Sequence, residues 1–360
     1  MSGARSTGSG GGPSDGASAT VGEAGEHGVL RRILTRLGPA DAAVLGPGDD
    51  CAVLRTSGDL VVTTDTMIEG PDFRLAWHRG FELGWKLAAT NLSDVASMGA
   101  RPVALTLALA CPRRTPVGLL EEIASGLDAA CRSLAPGCGV VGGDLGTAPV
   151  LTGAVTALGD LEGRPPATRS GASPGDVVAY AGDLGLAGLG LSLLFRDGTE
   201  PDGTAHDRAL ARLREEHPAA LTAQLAPSPP IALGAEAVRG GATAMMDVSD
   251  SLSLDAARLA RASGARVSLD SQRLLAGFGL QRGERVPLEA MLTGGEDHGL
   301  LATFPRGARL PGGFREIGEV LEASGPEPAA RSGKRDDVRV DGERYAPRGW
   351  DPYSLPLPGA

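Results

Sequence analysis

The chain alternates short β-branched or apolar runs with longer stretches in which apolar residues return every three or four positions, and the alternation starts only after a polar opening. Residues 1–22, MSGARSTGSGGGPSDGASATVG, are rich in Gly and Ser, hold almost nothing to bury, and are expected to form a disordered tail. Val29, Leu30, Ile33, Leu34 and Leu37 then recur at helical spacing up to Gly38-Pro39. Two strands are expected at 52–55 and 60–64, joined by a Ser57-Gly58-Asp59 turn. Residues 81–99, FELGWKLAATNLSDVASMG, are apolar on nearly every turn, the signature of a buried helix on which Asn91 and Asp94 share a face. Residues 102–110 read as a buried strand and 116–134 as a helix. GCGVVGGD gives a strand, a glycine turn and Asp144, and VLTGAVTALGDL a further strand.

Residues 164–176, RPPATRSGASPGD, look like a linker between halves. Beyond it DVVAYAG reads as a strand and GLAGLGLSLLF as a helix entered through glycines. Residues 196–218 read as a polar surface turn and helix, 235–238 as helical, 243–246 as a strand and 252–262 as a helix starting just after Asp250. Strands with interposed helices predict an α/β class with mixed sheets, in an N-terminal domain over 23–163 and a C-terminal domain over 177–356.

Composition narrows this. A length of 360 residues suits two domains, and aromatics at 3% leave Ala, Val, Leu and Gly to fill the interior. The net charge of −10 argues against nucleic acid or an anionic membrane as the main partner. Cys51, Cys111, Cys131 and Cys138 form no C-x-x-C pair and read as small buried residues in a reducing compartment. With no membrane-length apolar run and no signal-peptide core, a cytoplasmic location is expected.

The chemistry gathers around residues 60–73, LVVTTDTMIEGPDF. Thr63, Thr64 and Asp65 fall where a β-branched run gives out, and hydroxyls and carboxylates are hard oxygen ligands suited to Mg²⁺. One aspartate after a strand is ordinarily a turn former, but the arrangement repeats. Asp49 and Asp50 precede CAVL, VVGG leads into Asp144, and AMM leads into Asp247 and Asp250. If these ends converge, their like charges require a cation. Asp94, inside a buried helix, needs either a metal or a hydrogen-bonded core setting. Arg169 reads as a solvated linker charge or a phosphate clamp. DVSDSL sets Asp247, Ser249 and Asp250 at a strand-to-helix junction whose free N–H groups are suited to phosphate. The chain has no P-loop, no kinase glycine loop with its lysine, no EF-hand and no H-E-x-x-H, so any ATP chemistry must hold phosphates mainly through metal ions.

In this order GDDCAVL (48–54), TTDTMIEG (63–70), NLSDVASMGARP (91–102), GGDLGTAP (142–149), TRSGASPGD (168–176), DVSDSL (247–252), GGEDHGLL (294–301) and GWD (349–351) resemble the motifs of the thiamine-monophosphate kinase family, within the aminoimidazole-ribonucleotide-synthetase-like group. The resemblance implies two α/β domains, a homodimer paired through the N-terminal sheet, and ATP in the cleft. It implies metal ligands at Asp50, Thr63, Thr64, Asp65, Asp94, Asp144, Asp247 and Asp250, for several Mg²⁺ ions. ATP contacts fall on Gly143, Asp144, Arg169 and Ser249, and substrate contacts on Glu296 and Trp350. The implied reaction moves the γ-phosphoryl group of ATP onto thiamine monophosphate with no general base, because the acceptor phosphate is itself largely ionised. Three positions depart from the family pattern. Asp72 stands where a substrate-touching histidine is common, Ser251 where a glycine follows DVSD, and His298 where a tyrosine is common. The rivals are another ATP enzyme of this fold with a different acceptor, or a non-catalytic nucleotide- or metal-binding protein. Residues 1–50 lack the reactive cysteine expected of selenophosphate synthetase, and SLPLPGA lacks the C-terminal cysteine expected of the hydrogenase maturation factor.

Overall fold

The structure, a computed structural model, describes residues 19–48, 50–323 and 337–350. Its first half runs α1 (Val21–Leu34), β1 (Ala43–Leu45), β2 (Val53–Leu54), β3 (Leu60–Ile68), α2 (Gly80–Ser97), β4 (Arg101–Cys111), α3 (Val117–Leu134), β5 (Gly139–Thr147) and β6 (Thr152–Asp160). The last four long strands form a sheet in the order β3-β6-β4-β5, antiparallel except for the β4–β5 pair around α3. Leu83, Leu87, Leu92 and Val95 of α2 and Leu120, Ile123 and Leu127 of α3 bury one face of that sheet. With few aromatic rings to fill space, the two helices meet backbone to backbone. A Cβ on Gly84 would stand 1.9 Å from the Ile123 carbonyl oxygen, and one on Gly126 2.0 Å from that of Phe81. The opposite face of the sheet leaves Leu60, Val62 and Ile68 exposed.

Several expectations are corrected here. Thr20 and Glu23 form a reciprocal capping box that starts α1 at Val21, so residues 19–22 are ordered; the rest of the expected tail lies outside the described residues. β2 pairs with β1 rather than with β3. The Ser57-Gly58 turn is instead pinned by the Asp160 carboxylate, which accepts from the Ser57 and Gly58 N–H groups at 2.7 and 2.9 Å. β5 runs straight through Gly142 and Gly143, placing Asp144 in mid-strand with no glycine turn before it. These glycines serve strand approach: a Cβ on Gly143 would lie 2.2 Å from the Leu107 carbonyl oxygen. Cys111, Cys131 and Cys138 are buried as expected, whereas Cys51 is exposed.

The second half contains β7 (Val177–Ala181), α4 (Leu186–Asp197), α5 (Leu210–Glu216), α6 (Pro218–Leu225), α7 (Ala232–Arg239), β8 (Ala244–Val248), α8 (Leu252–Ser263), β9 (Ala265–Leu269) and α9 (Ser271–Phe278). It continues through β10 (Leu280–Gln281), β11 (Glu284–Arg285), α10 (Leu288–Thr293), β12 (Gly299–Phe304), β13 (Arg315–Glu322), β14 (Val338–Val340) and β15 (Glu343–Arg344). Its sheet has the order β15-β14-β9-β13-β7-β12-β8, with only the β14–β9 pair parallel. β8 and β12 are buried along their whole length, with Asp247 of β8 and Thr303 of β12 among the buried positions.

Helix α2 belongs to both halves. A Cβ on Gly234 of α7 would stand 2.0 Å from the Ala96 carbonyl oxygen, so the second half rests directly on the α2 backbone. The irregular connection 164–176 is tied to each side, with the Ala167 N–H donating to Met98 and the Met245 N–H to Thr168. The polar residues of α2 therefore lie between the two sheets.

Candidate functional site

Alternation along β3 sends Thr63 and Asp65 toward α2. The Thr63 hydroxyl donates to Asp94 Oδ2 at 2.8 Å, and the Asp65 N–H donates to Asn91 Oδ1 at 3.1 Å. From the other half Asp247, at the end of β8, is 4% exposed. Its Oδ2 accepts from the Ser93 hydroxyl at 3.1 Å and lies 3.4 Å from His298 Nδ1. Burial, together with the charges of Asp247 and Asp65, pushes the Asp94 carboxyl up to about 7. Asp65 is raised too, chiefly by burial, with His298 opposing and Asp247 and Asp250 adding to the rise. Burial works against a charge on His298, but the hydrogen bond and negative charge of Asp247 outweigh it and raise the imidazole. Acids from two sheets and one helix thus meet with a single histidine among them.

The carboxylates and the Thr63 hydroxyl are hard oxygen donors, and the Asp65 and Asp94 carboxyls are raised by burial and by neighbouring negative charge, so the chemistry of these side chains suits a divalent cation. Among the described residues no three of these groups stand as a preformed ligand cage.

The GGEDH turn that carries His298 is held under backbone strain, with Glu296 at φ 68° and His298 at φ 53°. Their N–H groups donate to the Ser249 and Val248 carbonyls, which fastens the turn to the end of β8. Glu296 then faces the fully buried Lys86 of α2, with Nζ 3.1 Å from Oε2, and the same oxygen accepts from the Gln224 amide. Burial alone would raise the Glu296 carboxyl, but Lys86 and Gln224 hold it below its usual value.

Next to this ion pair lies a cavity of about 520 Å³ whose wall includes Asp72, His78, Phe195, Gln224, Glu296 and Trp350. All three positions expected to touch substrate are in that wall. Asp250 lines it as well and acts electrostatically on Asp65, so the cavity and the acid cluster adjoin. Asp72 accepts the Ile68 N–H at 2.8 Å, and burial raises its carboxyl. The Trp350 N–H donates to the Asp250 carbonyl at 3.2 Å. Ser251 caps α8 and its hydroxyl donates to the Arg348 carbonyl at 2.7 Å, so the residue standing in place of a glycine anchors the segment leading to Trp350.

Other expected positions fall elsewhere. Thr64 points to the opposite face of β3, where its hydroxyl donates to the Val155 carbonyl. Register puts Asp144 level with Ala108, Ala154 and Thr66, on that same open face and about 14 Å across the sheet from β3. Gly143 lies on the exposed part of β5, and Arg169 is exposed with its carbonyl accepting from Ser263. Asp50 is exposed in the β1–β2 connection, and Asp49 lies outside the described residues. The N–H groups of Asp250 and Ser251 donate to Asp255, and that of Leu254 to Ser251, so the N-terminus of α8 is occupied by its own side chains and is not open to phosphate as the sequence suggested. Asp250 itself is paired with Arg258.

Lys86, Ser93 and Gln224 were not singled out in the sequence, and His298 only as a departure. A signal existed in α2, where Lys86, Thr90, Ser93, Asp94 and Ser97 form a polar stripe at steps of three and four in an otherwise apolar helix. A lysine on such a helix needs a buried acid.

Residues 48–161 match the family described as AIR synthase related protein, N-terminal domain. Over 346 residues the chain is 36% identical to a thiamine-monophosphate kinase from Mycobacterium tuberculosis, covering 94% of this chain and 95% of that one. The structure resembles the crystal structure of thiamine-monophosphate kinase from Stenotrophomonas maltophilia K279a, with 31% identity, a TM-score of 0.68, and 88% and 95% of the two chains covered. It also resembles AaThiL complexed with AMPPCP and TMP, with 30% identity, a TM-score of 0.65, and 91% and 97% covered.

Proposed function

We propose, from the premise that the chain belongs to the thiamine-monophosphate kinase family, that it moves the γ-phosphoryl group of ATP onto the phosphate of thiamine monophosphate, yielding thiamine diphosphate and ADP. The observation that carries this reading is the junction at Asp250, where a cluster of buried acids adjoins a cavity walled by Asp72, Glu296 and Trp350. A phosphorylated heterocycle seated in that cavity presents its phosphate to the acids.

Asp65, Asp94 and Asp247, with Thr63, would hold magnesium. Bound there, it supplies positive charge that screens two anionic reactants and the transferring group. Thr63 and Ser93 aim Asp94 and Asp247 by hydrogen bonding. An oxygen of the acceptor phosphate forms the new bond to the γ-phosphorus, the bond to the β–γ bridging oxygen breaks, and its electron pair leaves with ADP. Asp65, Asp94 and Asp247 take no proton from the acceptor, because the monoester, with a second pKa of about 6, is already ionised. Trp350 gives the acceptor a flat apolar surface, and Glu296, kept ionised by Lys86, a hydrogen-bond acceptor.

A homodimer in the cytoplasm belongs to the same reading. Leu60, Val62 and Ile68 are exposed on the sheet face that also carries Thr64 and Asp144, and pairing there with a second copy would cover them. No described helix is long and apolar enough to cross a membrane.

Incubation with Mg-ATP and a panel of phosphorylated acceptors tests the activity. Thiamine monophosphate is expected to become the diphosphate with stoichiometric ADP. ADP formed at an acceptor-independent rate, or with another acceptor only, contradicts it. Asp72→His restores the common family residue and is expected to lower KM for thiamine monophosphate, since Asp72 places a carboxylate in the cavity wall.

A further inference from the structure

Asp297 stands between the two strained residues of the GGEDH turn and is 4% exposed. Left-handed backbone at residues other than glycine persists only where the surroundings over-determine it. On one side the Glu296 and His298 N–H groups fasten the turn to the end of β8. On the other side the Asp297 carboxylate accepts from the Gly185 N–H at 2.5 Å and from the Ala187 N–H at 2.8 Å.

Those two N–H groups open α4, which has no cap of its own because Gly185 offers no side chain to supply one. Asp297 caps the helix from 110 residues away in sequence. Burial pushes its carboxyl up to about 7, and both N–H bonds oppose that rise, so the start of α4 favours the ionised carboxylate.

The cap joins two parts of one cavity wall. α4 contributes Leu189, Ser192 and Phe195, and the turn contributes Gly294, Gly295 and Glu296. They touch through backbone, since a Cβ on Gly188 would lie 2.7 Å from the Gly294 Cα. The Glu296 side chain keeps 29% of its surface exposed, so a molecule in the cavity can reach it.

We propose that Asp297 is a positioning residue for the acceptor substrate: by capping α4 it locks the turn against that helix and fixes where Glu296 enters the cavity. Asp297 itself does not touch the acceptor. A cap that contributed only stability would leave the affinity of the folded enzyme unchanged, whereas a positioning role couples Asp297 to Glu296. The inference rests on the kinase reading, in which Glu296 contacts thiamine monophosphate.

The test measures kcat and KM for thiamine monophosphate and for ATP with the full chain, in the wild type, Asp297→Ala, Asp297→Asn, Glu296→Gln and the double variant Asp297→Ala/Glu296→Gln. Thermal melting sets a temperature at which each is folded. Asp297→Ala is expected to raise KM for thiamine monophosphate about tenfold while KM for ATP stays within about twofold. Asp297→Asn keeps one acceptor oxygen for α4 and is expected to raise it about threefold. With Glu296 already changed, removing Asp297 is expected to raise KM by less than about twofold, because the group it aims is gone. Where Asp297→Ala does not fold, Asp297→Asn is compared in the same two backgrounds. An unchanged KM for thiamine monophosphate in a folded variant, a rise of the same size with and without Glu296, or an equal rise for ATP overturns the proposal and leaves the kinase reading standing. A wild type that does not phosphorylate thiamine monophosphate overturns that reading, and this inference with it.

Discussion

Asp94 and Lys86 extend from the same helix, about 12 Å apart along its axis, into two polar centres that solve burial in opposite ways. Lys86 meets Glu296 and Gln224, and the resulting group neutralises itself within the protein. Asp94 lies beside Asp65 and Asp247 and is pushed toward protonation by burial first and by their charges second. A buried charge with an internal partner is part of a wall. Buried charges that repel one another are complete only when something positive joins them. The difference separates the end of the cleft that shapes the substrate pocket from the end that awaits a cation and its phosphates.

The largest effect is expected at the acid end. Asp247→Asn removes a cluster charge while leaving an oxygen for Ser93, and should lower kcat by 10³-fold or more, about 4 kcal/mol, with Mg²⁺-dependent thermal stabilisation lost in the same variant. Near-normal kcat would break the distinction between the two centres. At the paired end the loss should appear as stability instead. Lys86→Met leaves Glu296 without its cation and should cost about 3 kcal/mol in urea unfolding, much of it recovered by adding Glu296→Gln. Strictly additive costs would show that the two are not coupled.

Smaller effects sharpen the picture. Trp350→Ala should raise KM for thiamine monophosphate about tenfold and change kcat little, which steady-state kinetics will show. Ser251→Gly restores the common family residue but removes a helix cap and the bond to Arg348, so a loss of under about 1 kcal/mol is expected by thermal unfolding.

What could be read from the sequence follows the same division. α2 and β8 were legible from their apolar patterns, and β3 in part, since it runs on to Ile68 and leaves Asp65 in mid-strand where a strand end was expected; Asp94 was picked out separately, as an acid inside a buried helix. The period of two along a strand already implied that Thr63 and Thr64 cannot face the same site. Asp144 misled because a glycine pair ordinarily signals a turn, whereas Gly143 admits the Leu107 carbonyl of a neighbouring strand. The capping role of Ser251 and the pairing of Lys86 with Glu296 depend on contacts between distant segments, 97 and 210 residues apart, which no local pattern encodes.

The central claim is that acids from both halves share a cation that draws two anionic reactants together. Crystals grown with Mn²⁺ and AMPPCP, measured for anomalous scattering, test it most directly. Peaks between Asp65, Asp94 and Asp247 are predicted; nucleotide bound with manganese absent from those three carboxylates would contradict the account.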